Sequence, residues 1–202
     1  MAGLYFGYAG QPREAREHLL EYLNLSRQMR SDSEEFIALG LLADLEVASG
    51  QPERAVEILR EPIARVRAST TRYDDGIVVR NYATALMEAG HLEEAESAFR
   101  DALPHARRAY GSAAFVLHDA AWLLARRGRI DDAARVSAYA ESVYAAMGRK
   151  PRLLAQRNQE RLRTLFSTQR SAAALVALGN EGRALTDDQA CLLAFPPLAA
   201  DG

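Results

Sequence analysis

The sequence predicts an all-α fold, a right-handed α-solenoid of stacked helix hairpins that ends in a C-terminal helical cap. Three observations lead to this prediction. Ala, Leu, Arg and Glu, which are strong helix formers, dominate the 202 residues. Runs of β-branched residues are almost absent, and a pattern centred on glycine occurs four times along the chain. Hydrophobic residues make up 49% and charged residues 26%, which is typical of a globular protein and not of a disordered one.

The four copies of the pattern are spaced 40, 40 and 38 residues apart. A glycine at the end of an apolar helix can adopt the left-handed conformation that stops it. An alanine five positions later lets two helices approach closely, and a larger apolar residue four positions further on fills the space beside it. Each copy therefore predicts a helix, a glycine turn and a second helix. The aligned positions are Gly10, Gly50, Gly90 and Gly128, then Ala15, Ala55, Ala95 and Ala133, then Leu19, Leu59, Phe99 and Ser137.

The same pattern predicts where the helices lie in residues 1–148. We expect Ser31 with Glu34 to form a capping box, and Asp74 or Asp75 to cap a later helix. Prolines at 62 and 104 fall inside helices and predict kinks. The first helices of the hairpins are predicted at Ser33–Ser49, Gly76–Ala89 and Ser112–Arg127, and the second helices at Pro12–Arg30, Pro52–Ala68, Leu92–Ala109 and Ile130–Met147.

The repeat register breaks after Gly148, so residues 149–202 are predicted to be capping helices and a tail. A helix is expected over Arg152–Ser167. A second helix is expected over about Ser171–Asn180, stopped by Gly179 or Gly182. Thr186 with Gln189 predicts a capping box for a last short helix that ends near Phe195.

The glycine, alanine and large apolar residue resemble the pattern of tetratricopeptide repeats (TPRs). The sequence departs from the TPR pattern in three ways. The repeats are longer than the usual ~34 residues, Pro104 comes earlier in its repeat than the TPR proline, and Ser137 replaces a large apolar residue. The chain is therefore similar to the long-helix variant found in bacterial regulators. The resemblance implies about three and a half hairpins, with the chain beginning inside a repeat; a genuine start with a frayed helix is the alternative. The third repeat matches the TPR pattern at Tyr82, Ala83, Leu86, Gly90, Ala95, Phe99, Ala102 and Leu103.

The segment 175–195 resembles the tail "EGRALS-x-EEA-x-x-x-A" of large bacterial regulators. In these proteins a DNA-binding or cyclase domain is coupled to a signal-transduction ATPase and a C-terminal repeat array. Here Thr186 replaces the usual serine and Gln189 replaces an acid. The resemblance implies that DNA-binding and nucleotide-binding parts precede this chain. The matched residues are Glu181, Gly182, Arg183, Ala184, Leu185, Asp188, Ala190 and Ala194.

The TPR resemblance also implies a concave groove lined by the first helices. An aromatic anchor, guanidinium groups and aliphatic side chains at its positions suit a peptide or helix with an acidic group. The set does not match the lysine and asparagine pattern of carboxylate-clamp repeats. The alternative is that Phe115 and Trp122 belong to the core and the arginines are solvated. The groove positions are Asp44, Ile77, Arg80, Thr84, Met87, Phe115, His118, Trp122 and Arg126.

Other kinds of site are not expected. His118 and Asp119 point about 100° apart on a helix, and no motif places a nucleophile, so we expect no catalytic residue and no enzyme. The four histidines have no i, i+4 pairing and no phosphate loop exists, so neither a metal nor another cofactor is expected. The single Cys191 predicts a buried small side chain. The basic stretch from Arg149 to Arg163 predicts a solvated face, with an acidic neighbour or nucleic acid as the alternative.

Composition limits the partners and the compartment. A formal net charge of −2 gives no field for nucleic acid or an anionic membrane, and no apolar run approaches the length of a bilayer span. A single cysteine, no signal peptide and an arginine-rich, lysine-poor composition suggest a bacterial cytoplasmic protein. We expect a protein or peptide ligand, other domains of a larger regulator, and self-association as a further hypothesis. The sequence thus predicts the sensor or interaction domain of an ATP-dependent transcription regulator; the alternative is a free-standing TPR adaptor or secretion-chaperone-like protein.

Overall fold

A computed structural model describes residues 11–68 and 76–197, which form ten α-helices and no strand. The chain divides into two compact units, residues 1–105 and 106–202. None of the described helices is both long and apolar enough to cross a membrane. The helices are α1 (Pro12–Gln28), α2 (Asp32–Ala48), α3 (Pro52–Ala68), α4 (Gly76–Ala89), α5 (Leu92–Tyr110), α6 (Ala114–Arg126), α7 (Ile130–Ala146), α8 (Leu153–Gln169), α9 (Ala172–Arg183) and α10 (Asp187–Ala194).

Glycines stop the first helices of the hairpins, as predicted. Gly50, Gly90 and Gly128 have φ values of +78°, +93° and +77°. After Gly50, the N–H of Gln51 donates to the carbonyl of Glu46 at 2.9 Å, which satisfies one of the carbonyls left open at the helix end. The predicted turn at Gly10 lies outside the described residues.

The aligned alanines lie at close contacts between helices, as the repeat pattern predicts. The aligned alanines at 15, 55, 95 and 133 are all buried, and Leu59 and Phe99 are fully buried one turn later. In the unit of residues 1–105, α1 packs on α2, α2 packs on α3 and α4, and α3 packs on α4. The side-chain amide of Asn81 on α4 donates to the carbonyl of Gly40 on α2 at 2.9 Å, so the two first helices are joined by a buried polar contact.

The predicted helix starts are correct to within two residues, but the capping differs in detail. Ser31 accepts a hydrogen bond from the backbone N–H of Glu34, whereas the Glu34 carboxylate accepts from the hydroxyl of Tyr22. Half of the expected capping box is therefore present. Asp74 and Asp75 lie outside the described residues. Helices α3 and α5 continue through Pro62 and Pro104, and the kinks expected there stay a prediction.

In the unit of residues 106–202, α6 and α7 form a hairpin on which the C-terminal helices pack. Helix α8 contacts α6 and α7, α9 lies along α7, and α10 contacts both α6 and α7. Thr186 and Gln189 form the predicted capping box of α10, with the Thr186 N–H donating to Gln189 Oε1 at 2.9 Å. The predicted division at residue 148 follows the repeat register and stays a prediction.

The predicted end of α9 was wrong. The helix runs through Gly179 and Gly182 to Arg183. Gly182 is buried, and a Cβ atom there would lie 2.3 Å from the carbonyl oxygen of Arg135 and 2.9 Å from Cβ of Ala138 on α7. This glycine is therefore required for the close crossing of two helices and not for a helix stop.

Candidate partner-binding surface

The predicted groove residues within the compact unit of residues 1–105 lie mostly in the interior. Asp44 on α2 and Thr84 and Met87 on α4 are at most 2% exposed, and Arg80 is 7% exposed. The Thr84 hydroxyl donates to the carbonyl of Arg80 one turn earlier, at 3.0 Å. Ile77 alone among these five is partly exposed. Packing between helices therefore occupies this part of the predicted groove.

The predicted residues of the second unit share one side of α6 but differ in exposure. Phe115 is buried, with its ring centroid 4.4 Å from that of Tyr110 and 4.7 Å from that of Tyr144. The ring of His118 meets the Tyr144 ring edge-on at 5.3 Å and is also buried. These residues build an aromatic cluster, so for Phe115 the structure agrees with the core alternative.

Arg126 is exposed and Trp122 is half-buried, and Trp122 lines a cleft of about 500 Å³ between α6 and α8. The guanidinium carbon of Arg161 lies 5.6 Å from the centre of the Trp122 ring, in the geometry of a cation–π contact. We call this depression the Trp122 cleft. It is lined by Trp122, Arg157, Glu160, Arg161, Thr164, Leu165 and Thr168.

The α8 side of the Trp122 cleft was not among the predicted site residues. The sequence predicts a basic, solvated face for Arg157 and Arg161; in the structure both line the Trp122 cleft, and Arg161 lies over the Trp122 ring. One signal in the sequence points to this face. Arg157, Arg161 and Leu165 are spaced i, i+4 and i+8, so they share one side of the helix. No sequence pattern, however, indicated which helix that side would meet.

Residues 181–194 attach α9 and α10 to the hairpin formed by α6 and α7. Glu181 on α9 accepts a hydrogen bond from Arg135 on α7 at 2.6 Å. Arg129 donates to the carbonyls of Leu193 and Ala194 at 2.5 and 3.1 Å, which satisfies the open C-terminal end of α10. Several of the matched positions thus contribute to docking of the last two helices.

Asp187, which lies outside the matched positions, is the central residue of this docking. Its carboxylate accepts hydrogen bonds from Ser112 Oγ at 2.7 Å, from the N–H of Ala113 at 2.8 Å, from Tyr139 Oη at 2.7 Å and from Arg107 Nε at 2.6 Å. Burial alone would raise the pKa of Asp187, but these hydrogen bonds lower it below its usual value. Burial, together with the hydrogen bond to Asp187, raises the pKa of Tyr139 to about 12.

The described residues offer little for redox or metal chemistry. No group of three or more His, Cys, Asp or Glu side chains within residues 11–68 and 76–197 could hold a metal ion. Cys191 is buried as predicted, and burial raises the pKa of its thiol to about 11, so the reactive thiolate is scarce near neutral pH.

The fold is similar to that of a solved repeat protein. The crystal structure of a point variant of a Podosopora anserina protein, named after kinesin light chain and described as having nearly identical TPR-like repeats, matches with a TM-score of 0.57. The match has 22% sequence identity and covers 90% of this chain and 92% of that one. No protein-family model and no curated protein matches the sequence. The likeness shows the fold alone, and it confirms the predicted fold class: the chain is an all-α α-solenoid of TPR-like helical repeats.

Proposed function

We propose that this chain is a protein- or peptide-binding module, and that it forms the sensor or interaction region of a bacterial ATP-dependent transcription regulator. The observation that carries the binding function is the Trp122 cleft. It places a half-buried indole in one cleft with two guanidinium groups, between two packed helices. Tryptophan and arginine are, with tyrosine, the residues most enriched among those that dominate binding energy in protein interfaces.

The charges of the Trp122 cleft indicate the chemistry of its partner. Arg157 and Arg161 outnumber the single carboxylate of Glu160. Arg126 is exposed one helical turn from Trp122, on the same side of α6. A peptide or helix that carries an acidic group next to a large apolar side chain would pair with the guanidiniums and pack on the indole and Leu165.

The regulator context is supported by the tail. Residues 181–194 resemble the tail of ATPase-linked regulators. Two of the matched residues, Glu181 and Gly182, contact α7 where α9 packs on it. A phosphate-binding loop and a winged-helix segment encoded upstream of Met1 in the same reading frame would support this context. An upstream stop codon would contradict it and favour the free-standing adaptor.

The binding function can be tested with the protein's own fluorescence, because Trp122 is the single tryptophan of the chain. Peptides selected from a random display library against the protein are expected to combine Asp or Glu with Leu or Phe, and to shift the Trp122 emission when they bind. The variants Trp122→Ala and Arg161→Met are each expected to weaken binding about tenfold or more, which corresponds to about 1.4 kcal/mol.

Arg108→Met provides the matched control for this experiment. Arg108 is an exposed arginine of the same unit that does not line the Trp122 cleft. Selected peptides that bind Trp122→Ala and Arg161→Met as tightly as they bind the Arg108→Met control would place partner binding elsewhere on the molecule. Circular dichroism of each variant establishes that the helices remain folded.

A further inference from the structure

One departure from the repeat pattern opens a second cleft, in the unit of residues 106–202. Leu59 and Phe99 fill the large apolar position of the second and third repeats and are fully buried. The fourth repeat has Ser137 there, whose side chain is much smaller. A cleft of about 330 Å³ lies beside it among α7, α8 and α9, and Gly179 forms part of the opposite wall. We call it the Ser137 cleft.

A carboxylate with an unused oxygen lines this cleft. Oε1 of Glu141 accepts hydrogen bonds from Ser137 Oγ at 3.2 Å and from Gln159 Nε2 at 2.6 Å. These two contacts hold the Glu141 side chain in place. Its Oε2 atom accepts no hydrogen bond from any described residue, so it can accept one from a bound molecule.

Two guanidinium groups with spare donors line the same cleft. Arg163 on α8 is exposed and forms no ion pair within the described ranges. Arg183 on α9 donates to Asn180 Oδ1 at 2.7 Å, a neutral acceptor one turn earlier, and its guanidinium lies over Gly179. Because an arginine can bind a carboxylate through two parallel hydrogen bonds, this pair offers a site for an anionic group.

The remaining walls of the Ser137 cleft are apolar. Leu162 and Phe166 of α8 are buried at its base, and Leu175 of α9 is partly exposed beside them. A volume of about 330 Å³ lies at the small end of the range for ligand sites. The cleft is therefore suited to a compact molecule with one apolar group and not to a peptide.

We propose that the Ser137 cleft binds a small zwitterion of the α-amino acid type with an apolar side chain. Its ammonium group donates to Glu141, its carboxylate pairs with Arg163 and Arg183, and its side chain packs on Leu162 and Phe166. Residues 159, 162, 163 and 166 lie on a different side of α8 from residues 157, 161, 164 and 168. The proposal is therefore independent of partner binding at the Trp122 cleft.

Isothermal titration calorimetry of the full chain tests the proposal with L-phenylalanine and L-leucine. 3-Phenylpropionate and phenethylamine serve as probes that lack the ammonium or the carboxylate. We expect saturable binding of at least one amino acid, about tenfold or more tighter than that of either single-charge probe, because each charge has its own partner in the cleft. Absence of saturable binding, or equal affinity for all four probes, would overturn the proposal.

Variants locate the binding. Ser137→Leu restores the large side chain of the repeat pattern and is expected to abolish binding by filling the cleft. Glu141→Gln and Arg163→Met are each expected to weaken binding about tenfold, whereas Arg108→Met, outside the cleft, should leave it unchanged. If circular dichroism shows that Ser137→Leu is unfolded, the two rim variants decide the outcome. Unchanged affinity in both would refute the proposal, and the Trp122 fluorescence experiment would be unaffected.

Discussion

The carboxylate of Asp187 accepts a hydrogen bond from the backbone N–H of Ala113, 74 residues earlier in the chain, at 2.8 Å. Ala113 is the N-cap of α6 and has no side-chain acceptor, and the first turn of α6 contains no acidic residue. The exposed N–H groups at a helix start favour both an acceptor and a negative charge. Ser112 Oγ accepts the N–H of Ala114 at 3.0 Å, and Asp187 of α10 supplies the negative charge that α6, the helix that carries Trp122, lacks at its own N-terminus.

Replacing Asp187 by Asn is expected to destabilise the unit of residues 106–202. The substitution removes the charge that Arg107 and the start of α6 share, so the free energy of unfolding should fall by about 1–3 kcal/mol. Urea unfolding measures this change. Local release of α10 should also speed the reaction of Cys191 with a thiol reagent, since this buried thiol lies in α10 and gains access to solvent when the helix detaches.

Asp188→Asn is the matched control for Asp187→Asn. Its side chain is 81% exposed, although it also pairs with Arg107 at 2.6 Å. Exposed ion pairs contribute about 0–1 kcal/mol, so Asp188→Asn should change stability little. Equal unfolding midpoints for the two variants would show that the partly buried hydrogen-bond network around Asp187 has no special role.

The stability supplied by Asp187 should depend on pH. Its pKa is lowered in the folded protein despite burial, because Tyr139, Ser112, Ala113 and Arg107 donate hydrogen bonds to the ionised form. The contribution is therefore fully present above the unfolded pKa of about 3.9 and is lost as the pH falls through the folded pKa. The difference in unfolding free energy between wild type and Asp187→Asn should be constant from about pH 6 to 8 and shrink below about pH 4. A difference that grows on acidification would contradict this assignment.

The comparison of Gly182 with Gly128 shows how far the sequence predicts this fold. The repeat pattern identified Gly128 as a helix stop, and its φ of +77° confirms this. The same reasoning failed at Gly182. Because glycine has no Cβ, it is suited both to a left-handed turn and to a close crossing of two helices, and the sequence does not say which. Only the position of the Arg135 carbonyl, on another helix, distinguishes the two roles. A single sequence carries no direct record of that distance.

For the candidate site, too, the sequence predicts the position of a residue on its helix but not the neighbours that surround it. The family pattern placed Met87 and Trp122 on the first helices of their hairpins, and both lie there. It did not indicate that Met87 would be fully buried by neighbouring helices, whereas Trp122 is half-buried beside α8. Periodicity determines the side of a helix on which a residue lies, whereas exposure depends on which helix packs there.

Gly182→Ala is expected to destabilise the docking of α9 on α7. The added Cβ would lie 2.3 Å from the Arg135 carbonyl oxygen, a backbone atom that moves only if the helices separate. We expect a loss of about 1–3 kcal/mol in thermal or urea unfolding. Gly179→Ala is the control in the same helix, because its Cβ would meet only the flexible Arg183 side chain, at 3.4 Å. That change should stabilise by about 0.5–1 kcal/mol, and a similar loss for both variants would argue against the close crossing.

The buried Glu46 in the first unit gives a prediction about charge burial. The Glu46 side chain on α2 is 1% exposed, while its partner Arg16 on α1 is 27% exposed and Arg54 on α3 lies 3.7 Å away. Removing Arg16 leaves a buried carboxylate whose remaining partner, Arg54, makes only a long ion pair of 3.7 Å, whereas removing Glu46 leaves arginines that can turn to solvent. Arg16→Met should therefore cost about 3–5 kcal/mol, and more than Glu46→Leu.

The double variant Arg16→Met with Glu46→Leu decides whether this cost comes from the stranded carboxylate. Replacing both partners by apolar side chains removes the charge along with the group that compensated it, so most of the stability lost in Arg16→Met should return. Urea unfolding of the two single variants and the double variant gives the coupling between the residues. If the double variant is as unstable as Arg16→Met alone, the loss arises from packing between α1 and α2 and not from the buried charge.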